Sequence, residues 1–73
     1  MIENEWVEVV PMTKLKEADA RLKQWLADHG IEESYLEPHD IRQDLHRTVR
    51  GSEAVYFLRR SKLRRLLGGD APQ

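Results

Sequence analysis

The stretch Leu45-His-Arg-Thr-Val-Arg50, Gly51-Ser52, Glu53-Ala-Val-Tyr-Phe-Leu58 decides the fold. Read as a β-hairpin, Gly51-Ser52 is a two-residue loop with glycine in the first position, the pattern of a type II′ turn. Arg50 then faces Glu53, Thr48 faces Val55 and Arg47 faces Tyr56, and opposite charges flank the turn. One face carries Leu45, Val49, Ala54, Tyr56 and Leu58 and forms the core, with Arg47 reaching to its edge. The other face carries His46, Thr48, Val55 and Phe57. A competing reading makes Asp40–Arg50 one helix ended by Gly51, with Ser52 capping a second helix to Leu67. That gives an all-α three-helix bundle. Val55-Tyr56-Phe57 prefers a strand, and Arg59-Arg60-Ser61-Lys62 interrupts the second helix's apolar face, so the hairpin is the preferred reading.

Outward from the hairpin, Glu5-Trp-Val-Glu-Val-Val10 reads as a short strand stopped by Pro11. Thr13 caps a helix over 14–29 with Leu15, Ala18, Leu22, Trp25 and Leu26 on one face. Gly30 terminates it, and Ile31 folds back on Leu26. Trp25 belongs to the core, and His29 suits the negative end of the helix dipole. Pro38 precludes a long helix through 31–40, and Glu37 or Asp40 caps a short one over 39–46. Ser61 caps a last short helix carrying Leu63, Leu66 and Leu67, ended by Gly68. The expectation is a single α+β domain over 1–69 with a disordered tail at 70–73.

The chain has 73 residues and no cysteine, which excludes a disulfide framework, a cysteine nucleophile and thiolate zinc sites. No apolar run approaches a membrane span. The start Met1-Ile2-Glu3-Asn4-Glu5 has no signal-peptide pattern, so a cytoplasmic location is expected. His39, Asp40, Asp44 and His46 are the only local cluster of potential metal or acid–base groups, and their spacing matches no zinc signature. Glycine-rich phosphate loops and nucleophile elbows are missing, so neither an enzyme nor a cofactor is expected.

The net charge of −1 hides a split. Residues 1–40 hold ten acids and four bases, and residues 41–73 hold three acids and eight bases. The halves either neutralise each other within the fold or offer a basic face to a polyanion. Arg47 and Arg50 flank the hairpin turn, and Arg59, Arg60, Lys62, Arg64 and Arg65 follow it. Arginine's planar fork suits phosphate and guanine.

The segment Thr48-Val-Arg-Gly-Ser-Glu-Ala-Val-Tyr-Phe-Leu-Arg-Arg-Ser-Lys-Leu-Arg-Arg-Leu-Leu67 resembles the wing and closing helix of excisionase-type winged-helix proteins. These are phage and mobile-element recombination directionality factors related to MerR regulators. Gly51-Ser52, Val55-Tyr56-Phe57 and Ser61 to Leu67 carry the resemblance, over about 20 of 73 residues. It implies a winged-helix-like fold of strand, long helix, short helix, hairpin wing and short helix. It also implies a DNA-binding regulatory or architectural role. The family's compact helix–turn–helix has no clear counterpart here, so the recognition helix would fall near Asp40–Arg47. Arg42 and Gln43 would then read bases in the major groove, and Arg47 and Arg50 would enter a minor groove. Arg59, Arg60, Lys62, Arg64 and Arg65 would hold phosphates. The order of elements also suits a KH-like RNA-binding domain, but the Gly-x-x-Gly loop is missing.

Partners expected are duplex DNA and further copies of the chain, as a homodimer or a head-to-tail filament. The alternative is a protein-interaction module, such as an antitoxin, an adaptor or a phage inhibitor of a host protein.

Overall fold

The computed structural model describes residues 5–68. Three strands and two helices run in the order β1 (Trp6–Lys14), α1 (Leu15–Asp28), β2 (Ile41–Thr48), β3 (Gly51–Arg59) and α2 (Arg60–Leu67). The sheet order is β1-β3-β2, with β3 antiparallel to both neighbours. β1, α1 and β2 therefore form a split β-α-β unit with β3 inserted between its strands. The expected tail at 70–73 lies outside the described residues.

The α+β class holds, and the all-α alternative is overturned by β2 and β3. The hairpin forms in a different register. Thr48 pairs with Gly51, so the loop is Val49-Arg50, and Tyr56 faces Gln43 rather than Arg47. The cause is local chemistry at Thr48. Its Oγ1 accepts a hydrogen bond from the Arg50 N–H (3.2 Å) and donates to the Gly51 carbonyl (2.8 Å). The side chain builds the turn itself. Gly51 has φ +128° and opens β3 instead of leading the loop. Each β3 residue thus meets a partner four positions from the expected one. Four is even, so no β3 side chain changes face. Ala54, Tyr56 and Leu58 are buried as expected, whereas Leu45 is largely exposed and Val49 fully so. Arg47 moves opposite Ser52 and no longer crosses apolar surface.

β1 continues through Pro11 to Lys14. Its pairing with β3 slips between Glu8 and Val10 and again between Val10 and Thr13. Pro11 lies in the second slip, on an edge strand, where its missing N–H is tolerated. Thr13 stays in this strand opposite Ala54 and does not cap α1. Its hydroxyl meets the Glu17 carboxylate instead.

α1 ends as expected. Gly30 adopts φ +70°, its N–H bonds the Ala27 carbonyl, and the Ile31 N–H bonds the Leu26 carbonyl at 2.8 Å. This is a Schellman motif with Ile31 buried beside Leu26. Trp25 is only half-buried and stacks on His29 at 3.8 Å, while His29 Nδ1 lies 2.8 Å from the Trp25 carbonyl.

The short helix expected over 39–46 does not form. Residues Glu33–Tyr35 and Pro38–Asp40 are single 3₁₀ turns, and Ile41 begins β2. Asp40 ends a turn here rather than starting a helix. Its carboxylate accepts the Glu37 N–H in a capping box that closes on itself. α2 begins at Arg60 without a serine cap, because the Arg60 N–H bonds the Glu5 carbonyl at 2.7 Å. Gly68 ends it in the left-handed region, as expected.

The core gathers Val10 from β1, Ala18, Leu22 and Leu26 from α1, Ile31, Ala54, Tyr56 and Leu58 from β3, and Leu63 from α2. It lies on one face of the sheet. Truncating Leu58 to Ala should destabilise the fold by about 3 kcal/mol, the ordinary result for a fully buried leucine. Val49→Ala should leave stability unchanged within about 0.5 kcal/mol. Urea unfolding of both variants checks the observed register against the expected one, which put Val49 in the core.

Candidate nucleic-acid interface

The nine basic and polar residues singled out from the sequence do not form one face. Three groups result.

The first group is held inside the fold. Asp40 is 3% exposed, and cations surround it. Arg59 Nε lies 3.6 Å from one carboxylate oxygen and Lys62 Nζ 3.5 Å from the other, with His39 Nε2 at 3.6 Å. Arg59 also pairs with Glu5, donates to the His39 carbonyl at 2.8 Å and lies over the Trp6 ring at 4.7 Å. Arg59 and Lys62 therefore join the start of β2, the end of β3 and the start of α2. Part of the charge split is used for internal pairing, and both residues expected to hold phosphates are engaged by carboxylates of the chain itself. The tendency of burial to raise the Asp40 pKa is outweighed by the Glu37 N–H, the Lys62 ammonium and the neighbouring His39. The carboxyl is held below its ordinary value.

The second group lies along β2. Arg42 and Gln43 are consecutive strand residues, so they point to opposite faces and cannot read a groove together from one helix. Arg42 pairs with Asp44 at 3.1 Å and lies over Phe57. The Gln43 Nε2 donates to the Tyr56 hydroxyl at 2.8 Å, and that hydroxyl reaches Asp19 on α1 at 3.5 Å.

The third group is at the two ends of the sheet. The β1 pairing with β3 stops at Lys14 opposite Glu53, so beyond that point β2 and β3 continue as a two-stranded ribbon. Its tip, 47–51, is exposed and carries Arg47 and Arg50. Beside it opens a cavity of about 570 Å³ lined by Lys14, Leu15, Lys16, Glu17, Arg50 and Ser52. Three of these six are cations and one is an acid. The first turn of α1 borders the cavity and has no side-chain cap, so the positive end of the helix dipole adds to the field. Lys14 and Lys16 lie in the acidic half of the sequence and were not singled out there. Only the pairing of β1 with the hairpin brings them to Arg50. Arg60, Arg64 and Arg65 sit on α2 at the opposite end, about 30 Å away along the nine residues of β3.

No known protein family, curated protein or solved structure matches the chain. Among the described residues no helix is long and apolar enough to cross a membrane, and no three acidic or imidazole side chains cluster to hold a metal.

The Asp40 pairing predicts acid sensitivity. A carboxyl whose folded pKa is depressed stabilises the fold above its unfolded value, near pH 4, and loses that contribution as pH falls through the folded value. Asp40→Asn should cost about 2 kcal/mol at neutral pH, because Arg59 and Lys62 lose their buried partner. The difference from the parent should shrink as pH falls from about 4 through the depressed folded-state value, since below that value both carry a neutral side chain. Urea midpoints across the acid range measure it.

Proposed function

We propose that this chain is a small, non-enzymatic DNA-binding protein of regulatory or architectural type, using the tip of its β2–β3 hairpin as the inserting element. The observation that supports this reading is the projecting ribbon with Arg47 and Arg50, set over the cavity that Lys14 and Lys16 line. A two-stranded ribbon fits a DNA groove. Arginine on its tip suits the negative potential of a narrow minor groove, and lysines at its base suit the flanking phosphates. The reading keeps the wing of the excisionase-type resemblance and drops its recognition helix, because residues 41–48 are a strand. Recognition would then rest on groove shape and backbone charge more than on base edges. Arg64 and Arg65 would at most touch phosphates further along.

Fluorescence anisotropy with a labelled random-sequence duplex, titrated at low and near-physiological salt, tests the proposal. The parent should bind at low salt and weaken steeply as salt rises. Lys16→Ala combined with Arg50→Ala should reduce the slope of log K against log salt by about 2, one for each phosphate contact removed. Arg65→Ala should change it less. Absence of binding at low salt, or a slope unaffected by the hairpin-end variants, would overturn the proposal and favour a protein partner.

A further inference from the structure

The sheet has two edges, and they are built differently. β1 is interrupted by two slips of register and by Pro11. Such features block the addition of another strand. β2 pairs with β3 without a break from Ile41 to Thr48 and contains neither proline nor glycine. Its outward backbone groups form a regular row of donors and acceptors, a ready template for a further strand. Arg42, Gln43 and Leu45 to Thr48 are all exposed, and Leu45 is among the most exposed large apolar residues of the described chain at 47%.

The sequence of β2 selects its partner. In an antiparallel pair, opposed residues share a face, so two copies related by a two-fold axis through the sheet must centre on a single residue. Centring on Asp44 sets two carboxylates face to face. Centring on His46 opposes Arg42 to Arg50. Centring on Gln43 pairs only residues 41–45. Centring on Leu45 aligns seven residues, 42–48, and sets no like charges opposite one another. Leu45 then covers Leu45 of the second copy on the helix-bearing face. On the other face Asp44 meets His46 twice, and a carboxylate accepts an imidazole N–H in that position. Gln43 meets Arg47, and Arg42 meets Thr48.

We propose that β2 is the interface of a symmetric homodimer, in which two copies join edge to edge in the register centred on Leu45 and make one six-stranded sheet. Area burial by Leu45 and the Asp44–His46 pairs supply the specificity, and the strand backbones supply the bonds. One consequence bears on the DNA-binding reading above. Each Arg50 turns back level with Val49, four residues from the axis along the strand, so the two hairpin tips sit about 26 Å apart in that direction, on opposite sides of the axis. The dimer itself does not depend on that reading, and its test uses no DNA.

The chain has no cysteine, so a single introduced thiol reports without background. Opposed residues in an antiparallel pair have Cα atoms about 4.5–5.5 Å apart, within the reach of a disulfide. Under mild oxidation Leu45→Cys should convert almost wholly to a covalent dimer, whereas Met12→Cys, exposed on the β1 edge, should remain mostly monomeric. Sedimentation equilibrium of the parent should give twice the 8.6 kDa chain mass, with dissociation on dilution. Leu45→Arg should be monomeric at the same concentration with an unchanged far-UV spectrum, because Leu45 is exposed and lies outside the core cluster of the single chain. A parent that is monomeric at every concentration, equal crosslinking of the two thiol variants, or a dimer that persists in Leu45→Arg would each overturn the proposal. If the dimer forms and DNA does not bind, the edge pairing stands and only the DNA reading falls.

Discussion

The buried carboxylate of Asp40 is the point on which the chain's layout depends. The segment after α1 must turn twice, enter the sheet as β2 and lie beside the end of β3, where α2 begins. Asp40 closes the second turn through the Glu37 N–H and receives Arg59 and Lys62 from the far end of the sequence. A carboxylate at this depth is unfavourable without partners, and each cation is restrained by the same contact. The pairing thus couples the order of three elements to a single charge. Next to it the lead-in to β1, the end of β3 and the start of α2 meet where Glu5, Arg59 and the Arg60 amide are tied together.

Much of the architecture was legible in residue patterns. The long helix, its Gly30 and Ile31 ending, the strand character of 53–58 and the Gly68 stop all follow from periodicity and backbone preference, and each appears in the structure. Two kinds of information were not legible. One is the role of a side chain that acts on its own backbone. Thr48 shapes its turn, and Asp40 caps its own 3₁₀ turn, and both residue types have several local uses that composition does not separate. The other is tertiary pairing. Residues 41–47, Ile-Arg-Gln-Asp-Leu-His-Arg, carry little strand propensity, and only pairing with β3 makes them one. Pro11 signals a stop in the sequence, because the edge position of β1 is set by tertiary pairing and not by the chain's own pattern.

The same limit applied to the site. Counting charges along the sequence grouped Arg59 and Lys62 with the other bases of the second half, although the fold commits them to Asp40. It separated Lys14 and Lys16 from Arg50, although the β1–β3 register unites them at one cavity. Electrostatic character here belongs to the folded surface, and its basic end combines both halves of the chain.

The irregularity of β1 has a consequence for how copies of this protein can add to one another. A sheet with two regular edges can recruit neighbours on both sides and grow without limit. With one edge broken by Pro11 and paired slips, growth by strand addition ends after a single step. An assembly through the intact edge would therefore be finite by construction, with a raised concentration filling pairs rather than extending fibres.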